Sequence, residues 1–142
     1  MQITIELPLP PGALAPNRRP HWRQKAHAIG QYRGAARIVA LSKMNACVRI
    51  PAGSEFPWSN ASARVVWNHS GQQPDRDNAL ASLKAAFDGI ADAGVIANDR
   101  ELVHLPMTMI KVDRGNEGVL IFVERCGESA CPLCHRPYDV NQ

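Results

Sequence analysis

Apolar and polar positions along the chain fall into short runs of two kinds. Ile3-Thr4-Ile5-Glu6-Leu7 alternates with a period of two and is rich in β-branched residues, which predicts a first strand ended by Pro8-Leu9-Pro10-Pro11-Gly12. From Lys25 to Met44 the period becomes helical: Ile29, Tyr32, Ala36 and Val39 make one apolar row, widened by Ile38 and Leu41, while Arg33, Arg37 and Lys43 lie on other sectors. Gly30 and Gly34, four apart on that helix, offer a place where another backbone can approach closely. Residues 49–60 contain Pro51, Gly53, Pro57 and Asn60 and read as a loop, before a second strand from Ser62 to Trp67.

Leu80, Leu83, Phe87 and Ile90 follow a 3,4,3 spacing, the apolar stripe of an amphipathic helix facing a core. The expected helix is continuous from Asn78 to Ala93, with Asp77 or Asn78 as its N-cap and Gly94 as its stop. Asn68 to Gln73 leads into it, and His69 reads there as a solvated loop histidine. Leu102 to Val112 forms a strand that Pro106 interrupts, as at an edge or bulge. Asp113-Arg114-Gly115-Asn116 makes a turn, and Gly118 to Val123 is the last strand. The sum is an α/β (α+β) fold, a small single domain with a mixed sheet of about four strands and two main helices.

Composition adds the class. A chain of 142 residues with 45% hydrophobic and 20% charged positions can bury a core without cross-links, which excludes a disordered or fibrous protein. No apolar run is long enough to span a bilayer and the N-terminus has no basic-then-apolar leader, so a cytoplasmic location is expected. The net charge of +3 conceals an asymmetry: residues 1–50 hold eight Lys and Arg against the single acid Glu6, and residues 51–142 hold eight against twelve. A basic half suits phosphates and an acidic half suits cations.

The acidic half carries the candidate chemistry. Pro74-Asp75-Arg76-Asp77-Asn78 places two carboxylates two residues apart at a turn, Lys84 follows two helical turns later, and Asp99 lies beyond the helix. On a continuous helix Asp77, Lys84 and Asp88 share a narrow sector beside the apolar stripe. Two or three carboxylates suffice to hold Mg²⁺, which keeps several of its waters, and an ammonium nearby offsets charge developing on a phosphodiester. The same Asp-x-Asp-Asn after proline also reads as a turn running into a helix cap, and Lys84 as a solvated helix lysine. The residues alone leave both readings open.

In the basic half, Asn17, Arg18, Arg19, His21, Trp22, Arg23 and Lys25 interleave cations with an aromatic in a predicted loop. Guanidinium groups suit phosphates and an indole suits an unstacked base, so Asn17, Arg18, Arg19, Trp22, Arg23 and Lys25 are the candidate DNA contacts. The bland alternative is a solvated loop with Trp22 tucked onto the core.

A third signal lies in the tail, residues 126–142, which stands apart from the domain of residues 1–125. Cys131-Pro132-Leu133-Cys134 looks like half of a zinc knuckle, and Cys126 and His135 offer further ligands. Bound Zn²⁺ and a reduced thiol tail are the two readings. Cys47, at the end of the first helix, reads as a buried small hydrophobe.

Asp75-Arg76-Asp77-Asn78, then Lys84-Ala85-Ala86-Phe87-Asp88, then Asp92-Ala93-Gly94 through Asp99 resembles the RusA family of phage and prophage Holliday-junction resolvases. The opening Ile3 to Pro11 with Asn17-Arg18 is similar to that family's first strand and loop, so the resemblance runs from Ile3 to Glu124. It implies a Mg²⁺-dependent, structure-selective endodeoxyribonuclease that cuts four-way DNA junctions in pairs, with Asp75, Asp77 and Asp99 as metal ligands and Lys84 required for cleavage. One departure stands out: in some members the lysine is one turn nearer the Asp pair, whereas here Leu80-Ala81-Ser82-Leu83 intervenes, a shift of about 4.5 Å along a helix. The rival reading is a non-catalytic DNA-binding or zinc-stabilised interaction module.

Asp99 poses a question of reach. A continuous helix from Asn78 to Ala93 is about 24 Å long, and six residues running straight back recover about 20 Å. Either Gly94–Asp99 folds directly back, or Asp99 serves the site of a second protomer. A homodimer is the expected partner arrangement, since a four-way junction presents two equivalent strands.

Overall fold

The computed structural model describes residues 2–46 and 56–126. Strand β1 spans Gln2–Leu7, helix α1 Trp22–Ala46, strand β2 Ala61–His69, helices α2 and α3 Arg76–Ser82 and Lys84–Ala93, and strands β3, β4 and β5 Val103–His104, Thr108–Lys111 and Gly118–Arg125. Single 3-10 turns form at Gly12–Leu14 and Asp99–Glu101. The described residues thus form a mixed α+β domain with five strands and three helices, one of each more than the sequence pattern predicts.

β2 lies at the centre of the sheet. β5 pairs antiparallel with it and with β1 on the far side, while β3 and β4 both run parallel to β2 along its other edge. Pro106 sits between β3 and β4, so the interrupted edge strand expected there is what forms: proline lacks the N–H a continuous ladder needs. Period-two alternation directs Ile3, Ile5 and Leu7 of β1, Val65 of β2 and Val119, Ile121 and Val123 of β5 to the helix-covered face, where all are buried. Each such side chain contributes about 1.5–3 kcal/mol by leaving water.

α1 packs across β1 and α3. It begins at Trp22 rather than Lys25, and its buried positions are Ala28, Tyr32, Ala36 and Ala40, a strict four-residue step rotated slightly from the expected row. Ile29 and Val39 flank that row, and Ile38, expected to widen it, is 67% exposed. The small side chains on this stripe admit α3 closely. The glycine that allows the approach is Gly89 of α3, where a Cβ would lie 2.2 Å from the Arg33 carbonyl oxygen; at Gly30 and Gly34 no neighbour stands within 4 Å. Tyr32 closes the other end of the contact by donating its hydroxyl to the Pro8 carbonyl at 2.8 Å.

The helix expected to be continuous from Asn78 to Ala93 is broken at Leu83. Leu83 adopts φ −91°, ψ 0°, outside the helical region, and is fully buried. Just before it, the Ser82 hydroxyl donates to the Ala79 carbonyl at 2.6 Å, competing with the backbone ladder in the way that bends helices. Leu83, Phe87 and Ile90 reach the core as the spacing predicts, and Leu80 packs at its margin. Gly94, at φ +91°, ends α3 in the left-handed conformation that glycine adopts without strain.

His69, read as a solvated loop residue, is the last residue of β2 and is buried, its Nδ1 3.0 Å from the Gly71 carbonyl oxygen. Cys47 lies outside the described residues, as do Cys131, Cys134 and His135. No helix among the described residues is long and apolar enough to cross a membrane.

Candidate active site

The return of the chain after α3 assembles the site. Val95 and Ile96 are buried, and Trp58 clasps them: its N–H donates to the Val95 carbonyl at 2.8 Å and its carbonyl accepts from Ala97 N–H at 3.0 Å. Asn98 then accepts from Arg100 N–H at 3.0 Å and caps the 3-10 turn that starts at Asp99. This tight, pinned return carries Asp99 back to the first residue of α3.

Lys84 meets Asp99 there, within one chain. Its ammonium donates to Asp99 Oδ2 and, at 2.8 Å, to Asp88 Oδ1 one turn further along the helix. The return therefore brings Asp99 to Lys84, and the structure records no contact between Asp99 and Asp77 among the described residues. The two carboxylates hold the Lys84 ammonium above its ordinary pKa, and the Lys84 hydrogen bond holds Asp99 below the usual carboxylate range. Lys84 remains 65% exposed, so water screens these pairs and their effect on stability is small.

Asp75 and Asp77 are placed differently from the expected cap. Asp75, not Asp77 or Asn78, occupies the N-cap position of α2, and its side chain makes no capping hydrogen bond. Asp77 lies in the first helical turn. Both are exposed, and among the described residues neither side chain takes part in a hydrogen bond or ion pair. Two carboxylates are therefore left with all their lone pairs facing solvent.

The break also separates what a continuous helix would have aligned. Asp77 lines a cavity of about 280 Å³ with Leu80, His104 and Met107. Lys84 and Asp88 line a groove of about 290 Å³ on α1's side, together with Lys25 and Ile29. His104 lines the same cavity as Asp77. Strand β3 pairs it with Ala63 on the helix-covered face, its ring meets Phe87 edge-on at 4.8 Å, and it lies within the field of both Asp99 and Lys84. Burial against this neighbour pushes the imidazole pKa down, opposed by the Asp99 charge. Sequence reading passed over His104, because a histidine in an interrupted strand carries no local signal and only its pairing with Ala63 decides which way it faces.

The basic segment lies beside the groove. Asn17, Arg18 and Arg19 are exposed in the connection after the 3-10 turn, with the Arg18 guanidinium beside Gly12. Trp22, Arg23 and Lys25 belong to the first turn of α1 rather than to a loop. Trp22 is 68% exposed and not tucked onto the core, with the Arg23 guanidinium carbon 5.2 Å from its ring centroid.

Mg²⁺ takes oxygen ligands and needs only one or two carboxylates beside its waters and phosphate oxygens. Asp75 and Asp77 fit that requirement in donor type and availability. Asp99 is taken by Lys84, and among the described residues no three His, Cys, Asp or Glu side chains are grouped to hold a metal ion, so the three-aspartate set is not assembled here. Of the four zinc candidates only Cys126 falls within the described residues; it is buried after β5, its N–H donating to the Asn60 carbonyl at 3.0 Å.

No protein-family model matches the chain. An uncharacterized protein of Xylella fastidiosa strain Temecula1 is 31% identical over 118 residues, covering 82% of this chain and 73% of that protein.

Proposed function

We propose, for a chain that belongs to one protein family with the Xylella fastidiosa relative, that it is a Mg²⁺-dependent, structure-selective endodeoxyribonuclease of RusA type acting on four-way DNA junctions. The observation that carries this reading is the contrast between the acidic residues: among the described residues Asp75 and Asp77 have no side-chain partner, while Asp99 and Asp88 converge on Lys84. A helix cap would have used one of the first two carboxylates. The missing capping bond supports the metal-ligand reading over that of a motif that only caps a helix in a non-catalytic module.

Mg²⁺ held by Asp75 and Asp77 would supply a Lewis acid for a phosphoryl oxygen and an acidified water. Lys84, kept protonated by Asp88 and Asp99, presents a fixed positive charge to an oxygen on which negative charge develops. Arg18, Arg19, Arg23 and Lys25 bind flanking phosphates, and the exposed Trp22 indole offers a face to an unstacked base. Two protomers related by a twofold axis would match the two equivalent strands of the junction. With Asp99 beside Lys84 of its own chain, such a homodimer needs no exchange of catalytic residues.

The test is cleavage of a labelled synthetic four-way junction and its matching duplex, with Mg²⁺ or EDTA, by wild type and Asp77→Asn. Paired Mg²⁺-dependent cuts in the junction alone, lost in the variant while binding persists, are the expected result. Wild type that binds the junction but cuts it with no divalent ion overturns the reading in favour of a binding module.

A further inference from the structure

The groove in which Lys84 lies is lined by more than catalysis of a phosphodiester asks for. Its floor is apolar, from Leu14 after the first strand, Ile29 of α1 and Ala85 of α3. Lys25 from α1 and Lys84 from α3 both line it, the Lys84 ammonium being engaged by the Asp88 and Asp99 carboxylates. At about 290 Å³ the groove has room for one nucleobase with its sugar and not for a base pair or a peptide helix. Trp22 lies three residues before Lys25, hence on the same face of α1, and exposes its indole.

We propose that this groove is a single-nucleotide subsite for an unpaired DNA strand: one base rests on the Leu14, Ile29 and Ala85 floor, its flanking phosphate meets Lys25, and the neighbouring base stacks on Trp22. An apolar floor, the Lys25 ammonium beside it and an exposed aromatic on the same helix face supply the stacking surface and the cation that single strands require. The Asp88 charge repels phosphate from the Lys84 side unless the strand enters with its phosphate toward Lys25, which gives the subsite a polarity. The inference rests on the nuclease reading for its choice of DNA, and it adds that the strand to be cut is held locally unpaired.

Ala81 allows a clean test, because it lines the groove, is exposed on α2 and tolerates leucine as a helix former. Binding of a short oligothymidylate carrying one 2-aminopurine is followed by fluorescence in EDTA. Wild type should quench the probe saturably. Ala81→Leu, with every charge intact, should weaken binding about tenfold at unchanged salt dependence, whereas Lys25→Ala should lower the salt slope by about one. Quenching by Ala81→Leu equal to wild type, or wild-type binding displaced by polyglutamate with no quench at any concentration, overturns the subsite. Should wild type cut junctions while Ala81→Leu binds the probe normally, the subsite fails and the nuclease reading stands. If wild type never cuts junctions yet loses the probe on Ala81→Leu, the nuclease reading fails and the subsite stands.

Discussion

Lys84 and Asp99 are fifteen residues apart and form an ion pair across the start of α3, with Asp88 completing a three-residue cluster. Their meeting depends on the turn at Gly94 that ends α3, from which the chain returns along Trp58 to the start of the same helix.

Replacing Lys84 by Met should lower junction cleavage by about 10²–10³, the cost of removing one preorganised electrostatic group, while changing stability by under about 1 kcal/mol. The pH dependence has a definite sign. Asp99 is depressed in the folded chain, so its share of stability is present above the ordinary carboxylate pKa and is lost as pH falls through the lowered value. Lys84 is raised, so its share is present below the ordinary ammonium pKa and is lost as pH rises through the raised value. Urea unfolding of wild type and Lys84→Met should therefore differ by a constant amount between about pH 7.5 and 9, above the His104 titration. A difference that varies inside that window contradicts the assignment.

Asp75→Ala should leave thermal stability unchanged to within about 0.5 kcal/mol, where loss of a working N-cap costs about 1 kcal/mol. The reason is the missing capping hydrogen bond at the N-cap of α2. Calorimetry of the variant decides the point, and a fall of a full cap's worth would return Asp75 to a structural role.

Gly89→Ala should be the most damaging single-methyl addition in the helices. A methyl 2.2 Å from the Arg33 carbonyl meets backbone that cannot swing aside, and the expected loss is about 3 kcal/mol, at the upper end of overpacking costs. Gly30→Ala, in open space, should be neutral or slightly stabilising. Chemical denaturation of the two variants side by side tests which glycine carries the helix contact.

His104 should titrate below the ordinary imidazole value of about 6.5, because its partial burial beside Phe87 outweighs the Asp99 charge. Removing the negative charge in Asp99→Asn should lower the midpoint further. Removing the positive charge in Lys84→Met should raise it. Proton NMR of the imidazole C–H resonances across pH measures all three, and midpoints that move in the opposite order would place His104 away from the cluster.

Much of the fold is legible along the chain. Alternation marks β1, β2 and β5, and the Leu83, Phe87, Ile90 stripe marks the core side of the acidic helix, because period and polarity are local properties. Pro106 correctly divides the edge strand, since a missing N–H acts wherever it stands. The errors share a cause. Gly30 and Gly34 attract notice by spacing, yet Gly89 makes the contact, because closeness belongs to two helices at once. Ile38 looks like core and lies in water, because the buried face of α1 is set by what packs on it. His69 sits among turn residues and is buried by strand pairing that extends beyond the apolar run.

The sequence by itself determined the α+β class, the order of its elements and the residue types available for chemistry: paired aspartates at a turn, a lysine after them and a basic, aromatic segment near the start. Those follow from side-chain period, proline and glycine geometry, and charge, all of which act over a few residues. Tertiary packing alone sets that Asp75 and Asp77 have no side-chain partner among the described residues, that Asp99 returns to Lys84 of its own chain, and that His104 meets Phe87. The reason is that each depends on the direction of the chain after a break or a turn. A change of a few degrees at Leu83 or Gly94 moves distant side chains by ångströms, and no local pattern records it.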